Sequence, residues 1–394
     1  MNPHIKKLYQ ITTKQHRTII GLMSGTSLDG LDIAVCEISG AGLQTQCKVT
    51  HFATVDYDDA TKEKILSVFS KDSVDLKYLT LLNPWIGNLH ARLINEQLSK
   101  WQIEQKNVDL IASHGQTIYH CPRSFHTNTE FKNGTLQIGD GDHIAVDTGI
   151  ITISDFRQKH IAAGFEGAPL AQYGDYYLFA DQQKNTLLLN IGGIANFTFI
   201  GKNHNINDII CSDIGPGNTL MDQYVRRHFN MNFDQNGQLA SKGVVCKELL
   251  SALMSLDFVE HPMPKTTGPE LFNIDLLDSI ILDKKLQLSH YDILATLNEL
   301  TACCIVTHIN KLQTSGTIEV LLSGGGAHNV TLINKLKDKL TNNFKVVKLD
   351  NDGINTDSKE AVLFAVLANE CVMSESTDED TRGGLTMGKL SLPL

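Results

Sequence analysis

The sequence predicts an α/β protein assembled from two similar halves. Two observations carry this. Short apolar stretches with strand patterning alternate along the chain with stretches whose leucines recur every three or four residues, as on one face of a helix. A strand–glycine turn–strand unit also occurs twice, at 17–35 and again at 186–200, which points to a duplicated domain.

With 394 residues the chain is long enough for two or three domains, and 42% hydrophobic with 20% charged residues is the composition of an ordinary globular protein. The formal net charge of -10 argues against nucleic acid as a partner, since phosphate backbones select basic surfaces. It does not argue against a nucleotide, which a local nest of backbone N–H groups can hold. The eight cysteines include no CxxC pair and are expected to be reduced and mostly buried. Lys6, Lys7 and Lys14 precede no apolar core of a signal peptide, and no run of about 18 apolar residues appears, so neither export nor a membrane span is expected. The cytoplasm is the expected compartment.

The elements follow in order. Residues 1–16 read as an extension before the fold. An apolar strand at 17–23 leads into Ser24-Gly25-Thr26-Ser27-Leu28-Asp29-Gly30, and Leu31, Ile33 and Val35 then alternate as a second strand with one buried face. Leu79, Leu82, Ile86, Leu89 and Leu93 make a helical stripe, with Pro84 expected to kink or break it. An apolar strand at 110–112 precedes the polar Ser113-His114-Gly115-Gln116-Thr117, and another at 150–153 precedes Ser154-Asp155-Phe156-Arg157. Strands at 186–190 and 194–200 flank Ile191-Gly192-Gly193. Asp213-Ile214-Gly215-Pro216-Gly217-Asn218 is a turn, with Asn218 placed to cap the next helix. Ser289 and Asp292 form a capping signal before the stripe Leu294, Leu297, Leu300, Cys304 and Ile305. A strand at 317–322 runs into Ser323-Gly324-Gly325-Gly326. A last helix starts near Ser358, and 374–382 is polar and charged, a loop.

Several familiar sites are absent. There is no G-x-x-x-x-G-K-[ST] run, no complete G-x-G-x-x-G after a strand, no H-E-x-x-H and no protein-kinase signature set. What remains is a group of small-residue turns. In 25–32, Gly25 and Gly30 let backbone approach an anion, Thr26 and Ser27 add hydroxyl donors, and Asp29 and Asp32 suit a hydrated Mg²⁺. The same residues also suit a plain hairpin loop. The turn at 190–196 is its counterpart, and the pair together suits a triphosphate. Asp213 is either a turn residue or an outer partner of a metal. Gly324, Gly325 and Gly326 leave backbone open to an adenosine, or form a tight strand-to-helix turn. Asp155 and Arg157, if on a strand, point the same way, and the arginine would keep the carboxylate ionised, either as a general base or as an ordinary salt bridge. His114 alone reads more readily as a structural histidine than as a catalyst.

GLMSGTSLDGLD, IASHGQTIYH, SDFR, GAPL (167–170), NIGGIANFT, DIGPGN and LSGGG occur in that order. With them the chain resembles the anhydro-N-acetylmuramic acid kinase family, of the actin-like ATPase superfamily, from residue 17 to about 370. The resemblance implies two RNase H-like domains with mixed sheets flanking a nucleotide cleft. The spans are 17–180 and 181–394, with a last helix, 358–373, able to pack back on the first. It implies ATP with Mg²⁺ as cofactors and a small amino sugar as substrate, with neither nucleic acid nor membrane as partner and with room for a homodimer. Water would open 1,6-anhydro-N-acetylmuramic acid while the γ-phosphoryl group passes to O6, a step in peptidoglycan recycling.

By that resemblance Asp155 is the catalytic base and Glu360 a second acidic residue of the sugar site. ATP contacts fall on Gly25, Thr26, Ser27, Leu28, Asp29, Gly30, Leu31 and Asp32. They fall also on Asn190, Gly192, Gly193, Gly215, Gly217, Asn218, Gly324, Gly325 and Gly326. His114, Gln116, Thr117 and Arg157 bind substrate, and Asp29 and Asp213 face the metal. Phe165 and Glu166 stand where the family pattern has Gly and Gln, and 374–382 replaces a loop that usually carries proline and asparagine. Two competing readings are a kinase for a different sugar and a non-catalytic ATP-binding switch protein.

Overall fold

A computed structural model describes residues 1–25, 28–181, 183–202, 205–268, 270–312, 314–349, 353–355, 357–374 and 386–394. It divides into two compact units, Met1–Leu178 with Asp350–Leu394, and Phe179–Leu349. The chain beyond residue 349 thus belongs with the first unit, not with a second span running to 394.

The first unit is built on β1 (His16–Ser24), β2 (Gly30–Ser39), β3 (Gln46–Asp56), β4 (Leu110–Cys121), β5 (Gly134–Ile138), β6 (Thr152–Ser154) and a C-terminal strand, Lys389–Ser391. These form one seven-stranded sheet in the order C-terminal strand–β6–β4–β1–β2–β3, with β5 on β4. β1, β2 and β3 pair antiparallel, while β4 and β6 continue the sheet parallel to β1. The second unit holds β7 (Asn185–Ile191), β8 (Ile194–Ile200), β9 (Ile210–Pro216), β10 (Ile318–Ser323) and β11 (Phe344–Lys348) in the order β11–β10–β7–β8–β9. Here too three antiparallel strands are followed by two parallel ones. The same mixed order, of RNase H type, therefore appears twice.

Parallel strands need both faces covered, and the sequence supplies the covers. In the first unit the helix Leu76–Lys100 buries Leu82, Ile86, Leu89 and Leu93 on the stripe read from the sequence, against Ile20, Leu22, Ile33 and Val35. It runs through Pro84 without ending. On the other face lies the helix Lys359–Met373, whose residues Ala361 to Glu370 are all buried. This explains why β2 does not have one wet face. Ile33, Ala34, Val35 and Cys36 are all at most 1% exposed, because alternate residues meet different helices. The helix can come this close because β1 carries Gly21, where a Cβ would sit 1.9 Å from the Ala361 carbonyl oxygen.

The N-terminal stretch is not a bare extension. Pro3–Thr12 is a helix, capped by Asn2 accepting from the His4 N–H at 2.8 Å, with Ile11 buried. In the second unit the helix His290–Ile309 is capped by Ser289, whose hydroxyl oxygen accepts from the Asp292 N–H at 3.1 Å. It is long and apolar enough by composition to cross a membrane, yet 72% of that window is buried in the protein, as in a core helix. It packs on the sheet with Ala302, Ile305 and Ile309 and on neighbouring helices with Leu294, Leu297 and Leu300. All eight cysteines are free, but only Cys36, Cys47 and Cys304 are buried, fewer than expected, and the others are half-buried. Of the 374–382 segment only Ser374 lies among the described residues.

Candidate active site

Four of the singled-out segments meet in the first unit. β1 ends at Ser24 and β2 starts at Gly30, and the bend between is closed by the Leu28 N–H donating to the Gly25 carbonyl at 3.4 Å. Leu28 takes a left-handed conformation (φ 57°) and sinks its side chain into the core, which anchors an otherwise polar tip. Gly30 lies against β3 so closely that a Cβ would be 2.4 Å from the Val55 carbonyl oxygen. Thr26 and Ser27 lie outside the described residues.

A buried chain of polar side chains supports this bend from below. Ser24 donates its hydroxyl to Gln116 Oε1 at 2.5 Å, and Gln116 Nε2 donates to the Gly25 carbonyl at 3.3 Å. The Ser24 hydroxyl also bonds Tyr57 at 2.9 Å, and Tyr57 bonds His90 Nε2 at 2.8 Å. The Tyr57 backbone N–H holds the Asp29 carbonyl at 2.9 Å. Gln116, expected to touch substrate, is therefore spent on the bend, since both ends of its amide are committed. Thr117 Oγ1 accepts from Gln137 Nε2 at 3.3 Å. Asp32 accepts from the Thr54 hydroxyl at 2.5 Å. Burial pushes its carboxyl above the usual range despite that bond, and Asp29 adds to the rise.

The Asp155–Arg157 pair expected on a strand does not form. β6 stops at Ser154, and Asp155 takes φ 55°, ψ 48° before the helix Phe156–Ala162 begins. That left-handed step breaks the period of two on which the expectation rested. Asp155 instead pairs with Lys389 of the C-terminal strand, which lies antiparallel to β6 with Lys389 opposite Ser154. A non-glycine residue held in this region costs on the order of 1 kcal/mol, and such residues gather at functional sites.

Arg157 turns to other partners. Its Nε donates to His114 Nε2 at 3.0 Å and its Nη1 to the Gly167 carbonyl at 2.8 Å. His114 is buried, and its Nδ1 bonds the Gly115 carbonyl at 2.8 Å, so both ring nitrogens are occupied. It holds the arginine and has no ring atom left for a ligand, which corrects its place among the substrate-binding residues. Burial first, and the arginine second, bring its pKa down to about 3, so the ring is neutral at working pH. Burial also brings Arg157 down to about 10, with Glu360 opposing, and the guanidinium stays charged.

Glu360 stands in the first turn of the helix Lys359–Met373. Its surface is that of an exposed residue, so solvent reaches it, yet surrounding protein raises its carboxyl above the usual range and Asp32 raises it further. Lys359 and Arg157 oppose that rise, and Asp29 adds to it. One turn on, Phe364 meets both His114 (ring centroids 4.7 Å apart) and Phe156 (5.3 Å). Phe156 adjoins Asp155, so the helix that carries Glu360 also braces the Asp155 segment. Phe165, one of the two departures from the family pattern, stacks on His160 at 4.8 Å, and His160 Nδ1 accepts from the Gly167 N–H at 2.9 Å.

In the second unit three glycine-bearing turns converge on one another. The N–H groups of Gly217 and Asn218 donate to the carbonyls of Gly193 and Gly192 at 2.9 and 2.8 Å. Asn218 does not cap with its side chain but donates to the Ile191 carbonyl at 3.1 Å. A Cβ at Gly324 would lie 2.5 Å from the Ile191 carbonyl oxygen, and one at Gly326 would lie 2.3 Å from the Ile191 side chain. Two of the three consecutive glycines therefore serve close packing. Gly325 faces a cavity of about 410 Å³ together with Asn218, Asp222, Phe233 and His328. Burial pushes the Asp222 carboxyl up to about 6, with Asp234 adding and Arg226 opposing. Asp213 lies within β9, opposite Asn196, and not in a turn as expected; its N–H donates to the Lys265 carbonyl and its Oδ2 accepts from the Thr267 N–H, both at 2.9 Å. Asn190 is the last residue but one of β7, opposite Asn196, and Gly215 precedes Pro216 at the end of β9.

Lys389, Tyr57, His90 and Phe364 were not singled out in the sequence. Lys389 carries no local signal, because only the pairing of the C-terminal strand with β6 brings it to Asp155.

A doubled RNase H-type sheet with glycine-lined hairpins defines the class of actin-like ATPases and sugar kinases. The profile of the anhydro-N-acetylmuramic acid kinase family matches residues 17–380. The anhydro-N-acetylmuramic acid kinase of Pseudoalteromonas translucida is 52% identical, over 99% of both chains, and that of Caldanaerobacter subterraneus 37%, over 98% of this chain and 100% of its own. An activator of 2-hydroxyisocaproyl-CoA dehydratase from Clostridium difficile aligns with a TM-score of 0.40 at 11% identity over 89% of this chain and 94% of its own, too distant to bear on the site. The chain belongs to the anhydro-N-acetylmuramic acid kinase family.

Proposed function

We propose that this protein opens 1,6-anhydro-N-acetylmuramic acid with water and phosphorylates it at O6, using ATP and giving N-acetylmuramic acid 6-phosphate and ADP. The observation that carries the reading is membership of the family over residues 17–380. Asp155 accepts the proton of the attacking water. The water oxygen bonds to C1 as the C1–O6 bond breaks, and O6 takes the γ-phosphoryl group as its bond to the β-phosphate oxygen breaks. O6 is captured as it departs, so its charge does not build up. Lys389 keeps the Asp155 carboxylate oriented, and Glu360 bounds the same site.

The turns at 25–32 and 190–193 bind phosphate oxygens through backbone N–H groups, the turn at 215–218 holds the second of these in place through the Gly217 and Asn218 N–H groups, and Gly325 with the cavity beside it takes the adenosine. Mg²⁺ fits Asp29 and Asp32. Asp32 is desolvated beside like charge, and Mg²⁺ asks for only one or two carboxylates besides water and phosphate. When bound it neutralises phosphate charge. The place is peptidoglycan recycling in the cytoplasm, where ATP is supplied and free thiols persist. Net acidity leaves nucleic acid and anionic membrane unsuited as partners.

The test is coupled ADP release with the anhydro sugar against a panel of free sugars. Asp155→Asn should still bind ATP and turn over at least ~100-fold slower, the scale of losing a general base. Near-normal turnover removes Asp155 from that role. ADP release on free glucose or N-acetylmuramic acid, with none on the anhydro sugar, favours a kinase of another sugar.

A further inference from the structure

The candidate site of the first unit is crowded with carboxylates. Asp29 and Asp32 lie within electrostatic reach of Glu360, and Asp155 begins the helix that carries Arg157. An acidic sugar entering such a site meets repulsion unless a cation offsets it. Most of the cations nearby are committed. Lys359 pairs with Asp175 at 2.8 Å and Lys389 with Asp155.

Arg157 differs. Two of its three nitrogens are fixed by neutral acceptors, His114 Nε2 and the Gly167 carbonyl. Among the described residues Nη2 makes no hydrogen bond, and it is not among the fully enclosed polar atoms left without partners. The acceptors are themselves anchored. His114 is locked by Gly115 and braced by Phe364, and the Gly167 N–H is tied to His160. The guanidinium plane is thus set before any ligand arrives, with one nitrogen carrying two N–H donors left over. An arginine whose hydrogen bonds go to neutral groups, with Glu360 within electrostatic reach but not hydrogen-bonded to it, keeps donors and charge for a ligand, and that arrangement selects carboxylates.

Resting on the kinase reading above, we infer that Arg157, held in place by His114 and Gly167, binds the carboxylate of the substrate's lactyl ether and makes the site selective for an acidic sugar over its neutral counterpart. Arg157 is then a specificity-determining residue and His114 a positioning residue acting through it.

The experiment compares the anhydro sugar acid with its lactyl methyl ester, which has the same skeleton without the charge. Equilibrium binding and steady-state turnover are measured on the wild type and on Arg157→Gln, Arg157→Lys, His114→Phe and His114→Gln. A charge-assisted bond is worth about 30-fold, so the wild type should prefer the acid by roughly that factor. Arg157→Gln should lose the preference by weakening the acid alone, with the ester within about threefold of wild type. Arg157→Lys, with charge but no fork, should keep part of it. His114→Phe should raise KM for the acid with kcat and KM for ATP little changed, and His114→Gln, which restores an acceptor, should recover most of the loss. Equal weakening of acid and ester in Arg157→Gln, or a wild type indifferent to the ester, overturns the inference while leaving the kinase reading intact. Failure of the wild type to bind or turn over either form overturns both.

Discussion

His90 and His114 are both buried and both neutral, and this has a measurable consequence for stability. Burial lowers His90 to about 4. In the unfolded chain a histidine titrates near 6.5, so between about pH 6.5 and 4 the unfolded state binds the proton and the folded state does not. The depressed folded pKa means the contribution is fully present above 6.5 and is lost as pH falls toward 4. The margin of the wild type over His90→Gln should therefore shrink on acidification, by at most about 1.4 kcal/mol per pH unit. Denaturant midpoints at several pH values read this, and a margin constant across that range would mean His90 is not buried as described. His114 and Gln116 were visible in the sequence within a polar run after an apolar strand, while His90, inside a helical stripe, was not. The roles of the first two were not legible. His114 and Gln116 looked like ligand-binding groups because nothing local showed that Arg157 and the Gly25 bend consume their polar atoms. Asp155 was legible as a special position, but its partner Lys389 lies at the other end of the chain.

At the scale of elements, the helix Lys359–Met373 bears on both the core and the site. Its first turn offers Glu360, its middle presses on β1, and Phe364 braces the Asp155 segment. Close approach to β1 depends on Gly21, since any Cβ there meets the Ala361 carbonyl and lies 3.1 Å from the Ala365 N. Gly21→Ala must push the whole helix outward, so it should destabilise by more than about 3 kcal/mol, beyond the usual overpacking range. It should also cut turnover, because Glu360 moves with the helix. A variant as stable as wild type would show that the helix has slack at this contact. The helix itself was legible, from Ser358 onward. Its position was not, because an all-apolar stretch such as 361–368 marks a buried helix without saying what buries it.

For the molecule as a whole, the duplication was legible because each half opens on a strand–glycine turn–strand unit. The division was less so, since the chain returns to its first unit after residue 349. A continuous unit with its own core is able to fold alone, while an interrupted one is not complete until its last segment arrives. Phe179–Leu349 holds two apolar clusters of its own, one on its sheet and one among its helices. Met1–Leu178 by itself lacks the helix that covers β1 and β2 and the strand that pairs with β6. A fragment spanning 179–349 should thus unfold in one cooperative transition by circular dichroism. A fragment spanning 1–178 should show none, with Gly21, Ala34 and Cys36 uncovered on one sheet face, and should gain one when a second polypeptide covering 353–394 is added. Cooperative unfolding of 1–178 alone would mean that the C-terminal helix is an accessory to the first unit and not part of its core.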